Sequence, residues 1–181
     1  MNQVRWFDRK FDFSIKQNIF PSVLERLKGT PVRLKEKNLK IPEENLNDKL
    51  EGKWSILENI GHLTDLEPIW MGRLEDILAN EKEMRPADLE NKKTNLANHN
   101  SRNVEELLQE FSEARNSIVN KLELLTEKEV FQYALHPRLK TPLRIMDLFL
   151  FVADHDDHHL ARITEIDKLL TIKNKRSSHL C

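Results

Sequence analysis

The chain has 181 residues, enough for one domain with a sizeable core, and its 33% charged and 39% hydrophobic residues fit a globular protein with much solvated helix surface. A formal net charge of -1 without a long basic run excludes a general nucleic-acid binder, and four glycines with one tyrosine argue against a turn-rich all-β fold. Cys181 is the only cysteine, which excludes both a disulfide framework and a cysteine-based zinc site.

The opening "MNQVRWFDRKFDF" lacks the apolar stretch of a secretory signal, and the longest apolar run, "LFLFVA" at 148–153, is too short to cross a bilayer. A cytoplasmic protein without a membrane partner is expected. Ile15, Ile19, Val23 and Leu27 recur every fourth residue and predict a first helix, kinked or split at Pro21. Gly29 and Pro31 predict its end, and 30–53 reads as a polar connector.

A second helix opens at "WSILE", where Ser55 and Glu58 form a capping box. Ile56, Ile60, Leu63, Trp70, Leu74 and Ile77 mark its apolar face to about residue 80, with a distortion expected at Pro68. A third helix spans roughly 104–125, capped by Asn100, Ser101 or Asn103. A fourth begins near Pro142, with Thr141 as its cap, and runs through Leu170. Residues 145–153 are apolar nearly all round, so that segment is buried on more than one side, by connectors or by a second subunit; a homodimer is the expectation.

Four amphipathic helices without a strand signal predict an all-α, four-helix-bundle fold, with 1–181 as a single domain. The connector at 81–102 is long enough to travel the length of a ~30 Å helix, so helices two and three can run parallel.

The stretch "FVADHDDHHLARI" (151–163) carries the chemistry. At ~100° per residue, His155 and His159 fall inside the stripe formed by Leu148, Phe151, Val152, Ile163, Ile166, Leu169 and Leu170. His158 falls at the stripe's edge, as a solvent-facing or supporting residue, and Arg162 within the stripe must snorkel outward. Two inward imidazoles one turn apart can share a metal ion; a hydrogen-bonded pair of core histidines is the competing reading of this helix alone. His62, in "NIGHLTDLEPIW", faces partly inward on the second helix, beside Gly61, whose bare backbone admits a neighbouring helix. His99 and His179 read as surface residues, and His136 before a proline as a pocket-rim residue.

Three histidines on two facing helices describe an open divalent-metal site. Such an ion lowers the pKa of a water or thiol that reaches it, which suits a metal-dependent enzyme acting on a small-molecule substrate. Asp65, Asp154, Asp156, Asp157 and Glu58 are available to orient the imidazoles. Imidazole ligands suit zinc or nickel without distinguishing them. The alternative is a non-catalytic metal-binding or interaction module that forms a dimer.

"RLKGTPVRL", "GKWSILENIGHLTDLEPIWMGRL" and "LFLFVADHDDHHLARI", in that order and spacing, resemble the DinB/YfiT-like superfamily of metalloenzymes over most of the chain. The resemblance implies an up-down-down-up four-helix bundle with a long crossover between helices two and three. It also implies a metal triad at His62, His155 and His159. The activities it implies are those of S-transferases that use low-molecular-weight thiols such as mycothiol or bacillithiol and of a thiol-dependent isomerase; with the three-histidine site, a metal-dependent hydrolase or thiol transferase is the leading expectation. Thiol chemistry would need an outside thiol, because Cys181 is not placed to act as the nucleophile.

Overall fold

The computed structural model describes residues 3–178, so His179 and Cys181 lie outside the described residues. Its helices are α1 (Phe20–Asn38), α2 (Ile56–Leu78), α3 (Lys92–Leu96), α4 (Val104–Glu123), α5 (Glu127–Val130) and α6 (Ile145–Ser178). A two-stranded antiparallel hairpin, β1 (Tyr133–Leu135) and β2 (Pro142–Arg144), precedes α6 and pairs Ala134 with Leu143. The four long helices, α1, α2, α4 and α6, form a bundle. No helix is long and apolar enough to cross a membrane among the described residues.

Cross-helix contacts give the directions. Glu67 and Glu75 of α2 meet Arg115 and Lys121 of α4, so these two helices run parallel. Arg26 and Lys37 of α1 meet Asp154 and Thr164 of α6, a second parallel pair. Lys28 with Glu123, and Asn38 with Glu105, set α1 antiparallel to α4; Asn59 with His159, and Trp70 with His155, set α2 antiparallel to α6. The order is up-down-down-up, and the chain from 79 to 103 must return the length of the bundle before α4 begins.

Several local expectations need correction. Pro21 does not split α1; it sits in the first turn, where its missing N–H would have no helical partner anyway. Gly29 and Pro31 do not end that helix, which runs to Asn38 because Val23, Leu27 and Leu34 continue one buried stripe. Burial of those side chains outweighs the ~1 kcal/mol helix penalty of a glycine. Pro68 lies within an unbroken α2. Pro142 belongs to β2 rather than to the first turn of the last helix, so the hairpin was not foreseen. Ser55 and Glu58 form the expected capping box, and Asn103 is the cap of α4, accepting from the backbone N–H of Glu105.

The apolar segment 145–153 is covered by the chain itself. Trp6, Phe11 and Phe13 of the N-terminal segment pack on the cluster containing Ile145, Leu148, Phe149, Phe151 and Val152. This removes the reason for placing a second subunit on that face.

Two apolar clusters fill the interior, one around Leu27, Leu74, Ile118 and Phe149, the other around Leu34, Ile60, Phe111 and Ile163. A polar layer separates them, and each bundle helix contributes one member: Thr30, Glu67, Arg115 and Asp156, all buried. Arg115 Nη2 donates to Glu67 Oε1 at 2.6 Å and its Nη1 to Asp156 Oδ2 at 2.5 Å, while Thr30 Oγ1 donates to Asp156 at 2.9 Å. Burial opposes the charge on Arg115, but Asp156 and Glu67 more than offset it, and its pKa is raised. Burial pushes the Glu67 carboxyl up, with Arg115 only partly offsetting it.

Candidate metal centre

His62 comes from α2, and His155 and His159 lie one turn apart on α6, next to this polar layer. All three are buried, and one ring nitrogen of each lies within 4.8 Å of the others. His155 Nε2 and His159 Nε2 are 3.2 Å apart. Two imidazole nitrogens bound at ~2.0–2.1 Å and a tetrahedral angle would be separated by about 3.4 Å, close to this spacing.

Hydrogen bonds decide which nitrogen of each ring is free. Asn59 Nδ2 donates to the carbonyl of Ser55 at 2.7 Å, which turns Oδ1 toward His159 Nδ1, 2.8 Å away. The proton of His159 therefore sits on Nδ1 and the lone pair on Nε2. Thr94 Oγ1 donates to Asp65 Oδ2 at 2.9 Å, so it accepts from His62 Nδ1 at 3.0 Å and frees His62 Nε2 in the same way. His155 Nδ1 is buried without a partner among the described residues.

Burial is the main cause lowering the pKa of all three histidines, with neighbouring histidines adding to the effect for His155 and His159. His62 is brought down to about 4, although Asp65 opposes the shift. Neutral imidazoles at pH 7 are what a cation needs as ligands. The donor set, its spacing and the preset tautomers all fit one divalent ion with open positions.

The crossover supplies the supporting groups. His99 was expected on the surface but is buried, its Nε2 2.9 Å from Asp65 Oδ2. Gly61 admits that ring rather than a neighbouring helix: a Cβ at 61 would overlap the His99 side chain. Asp65 thus makes no hydrogen bond to His62 itself and is linked to it through Thr94. The other acids expected to orient imidazoles are engaged elsewhere: Glu58 in the capping box, Asp154 and Asp157 with Arg26, and Asp156 with Arg115.

The three histidines open onto a cavity of about 500 Å³. Trp54 stands 4.7 Å from His62, and Trp6 and Trp70 stand 4.8 and 6.0 Å from His155, between ring centres. His158 lines this cavity too and is buried rather than solvent-facing; burial first, then Arg9 and Arg162, lowers its pKa to about 4. Arg162 reaches the cavity wall and pairs with Glu165 at 2.5 Å. His136 lies in the same wall, as expected of a rim residue. Asn59, Thr94, Arg73, Arg115 and Arg138 were not anticipated. Of these, Arg115 left a signal, a cation between Phe111 and Ile118 on an otherwise apolar helix face.

Comparison with known proteins agrees with this picture. The family model described as the DinB superfamily matches residues 26–163. No curated protein matches the chain significantly. Among solved structures, YfiT from Bacillus subtilis, described as a probable metal-dependent hydrolase with an unusual four-helix bundle topology, superposes with a TM-score of 0.76 at 23% identity, over 90% of this chain and 94% of that one. A Streptococcus pneumoniae protein matches with a TM-score of 0.64 at 14% identity, over 85% of this chain and 93% of that one. A Clostridium difficile 630 protein gives 0.62 at 14%, over 85% and 98%.

Proposed function

The chain belongs to the DinB superfamily, and from that premise we propose that it is a cytoplasmic, single-domain metal-dependent hydrolase of a small molecule, with His62, His155 and His159 holding one divalent ion. The observation that carries this is the convergence of three buried, neutral imidazoles at the wall of a cavity, with no carboxylate or cysteine joining them among the described residues. A closed structural site takes four protein ligands; three leave room for a reactant. Zinc or nickel suits the donors. When bound, such an ion supplies Lewis acidity and makes a water or thiol acidic enough to attack near neutral pH.

The protein's own groups do the rest. Asn59 and the Asp65–Thr94 pair hold two imidazoles in the tautomer that presents Nε2. Trp6, Trp54 and Trp70 form apolar walls that exclude bulk water and strengthen electrostatic interactions within the cavity. Transfer to an external low-molecular-weight thiol is the alternative outcome at this site.

Metal analysis of purified protein tests the reading. About one zinc or nickel per chain is expected, lost in His155→Ala and in His62→Ala. Undiminished metal in both variants refutes the site. An ester and amide panel, run with and without added thiol, then separates hydrolysis from thiol transfer. No turnover in either arm would favour a metal-binding or dimer-forming module without catalysis.

A further inference from the structure

Building on the hydrolase reading, we infer that the substrate is an organic acid whose carboxylate sits on Arg73, Arg138 and the Nε2–H of His136, in the same cavity as the three histidines.

Arg73 is 2% exposed, lines the cavity and has no carboxylate partner among the described residues. Its Nε donates to the carbonyl of Arg85 at 3.1 Å and its guanidinium lies 5.4 Å over the Trp70 ring. The acid one turn on, Asp76, is taken by Arg85, with its Nη2 2.7 Å from Oδ1. Arg138 also lines the cavity, stacks 5.2 Å over Phe7, and has its Nη2 buried without an acceptor among the described residues. The one acid in the lining, Asp88, is engaged in its own turn before α3 instead, accepting from the backbone N–H of Lys92 at 2.6 Å and of Glu90 at 3.0 Å. Burial, and then the nearby charge of Arg138, lowers the Arg73 pKa to about 10. A buried guanidinium beside a half-buried one, neither with a carboxylate partner among the described residues, is costly, and an anionic ligand offsets that cost.

His136 makes the same demand independently. The backbone N–H groups of Arg138 and Leu139 point at its Nδ1 from 3.2 and 3.1 Å, so Nδ1 carries the lone pair. A neutral imidazole then bears its proton on Nε2, which faces Arg73 Nη1 at 3.1 Å. Two N–H donors confront each other with no acceptor between them. A carboxylate oxygen lying against both satisfies the pair. Burial, with Arg73 and Arg138 beside it, lowers the His136 pKa to about 3 and keeps the ring neutral.

The surroundings favour a monoanion with an apolar body over a phosphate dianion, which costs more to desolvate. His136 lies 5.6 Å from Phe151, Phe151 4.9 Å from Trp6, and Trp6 4.8 Å from His155, a continuous aromatic wall between the donors and the histidines. His62 and Arg73 are about 16 Å apart along α2, which the backward lean of the arginine stem shortens to roughly 10–12 Å. The bond attacked therefore lies on the order of 10 Å from the carboxylate.

Isothermal titration of the zinc-loaded protein with 4-phenylbutyrate, and with the uncharged 4-phenylbutyramide, tests this. The acid should bind at least tenfold tighter than the amide. Arg138→Gln and Arg73→Gln, each checked by thermal melting, should lose that preference while keeping their zinc. His155→Ala should lose zinc and keep the preference. Equal binding of acid and amide by the wild type overturns the proposal, as does an unchanged preference in both folded arginine variants. Loss of the preference in His155→Ala would place the carboxylate on the ion and overturn it too. Tighter binding of phenyl phosphate than of the acid would refute the carboxylate assignment. If the wild type held no metal but kept the preference, only the hydrolase reading would fail.

Discussion

Replacing Arg115 by methionine isolates the buried ionic layer. The side chain is 1% exposed, and the change strands Glu67 and Asp156, themselves 3% and 0% exposed, without a cation. Breaking a buried pair by removing one partner costs about 3–5 kcal/mol, and here one cation serves two acids. For a chain of this length that corresponds to a fall in melting temperature of roughly 6–20 °C. The deficit should shrink as pH falls from 7 toward 5. Burial already raises the Glu67 carboxyl, and without the guanidinium nothing offsets that push, so the folded variant binds more protons and gains stability on acidification. Urea denaturation of wild type and Arg115→Met at pH 7 and pH 5, with Arg115→Met/Glu67→Gln as partial rescue, measures all three effects. A loss under 1 kcal/mol at pH 7, or a deficit that does not narrow at pH 5, would refute this account of the layer.

Thr94→Val removes the acceptor of His62 Nδ1, and a loss of about 10–100-fold in zinc affinity is expected by competition with a chelating dye, with a cost of about 1–3 kcal/mol in metal-free stability from the stranded N–H. Gly61→Ala gains up to ~1 kcal/mol of helix propensity but displaces His99, so a lower melting temperature and weaker zinc binding are expected together. In the metal-free protein, His62 has a pKa of about 4 when folded against 6.5 as its ordinary value. The unfolded chain then binds more protons below pH ~6.5, and stability should fall as pH drops toward 4, at up to about 1.4 kcal/mol per unit from this residue. His136 and His158 shift the same way, so a pH series of melts that stays flat between 7 and 4.5 would contradict the neutral, buried assignment.

The bundle was legible because its evidence is local. Apolar stripes, the Ser55–Glu58 box and the i,i+4 spacing of His155 and His159 need only helical periodicity to be read. The up-down-down-up order required the resemblance as well, since connector length permits parallel helices without demanding them. What periodicity could not reach were groups placed by tertiary packing. Thr94 and His99 come from the crossover, where no repeat marks an inward face. Pro31 and Pro142 misled because local stop and start rules gave way to burial of Leu34 and pairing of β2. The apolar surplus at 145–153 suits a second subunit or an internal cover alike, and the internal cover, Trp6, Phe11 and Phe13, is too distant in sequence for periodicity to reveal.

The crossover at 79–103 exists because two neighbouring helices point the same way, yet it also forms one side of the cavity through Pro86, Ala87, Leu89 and Asn91. On the proposed reading, the groups that would hold the ion and part of the wall that would face a substrate come from different kinds of scaffold. The imidazoles ride on long helices, whereas part of the facing wall belongs to a loop, the kind of segment that tolerates change in length and composition. Remodelling 86–91 would change what the pocket admits, provided the turn at Asp88 that leads into α3 and Thr94 is kept. A bundle wired in this way can diversify its repertoire by editing one ribbon of chain.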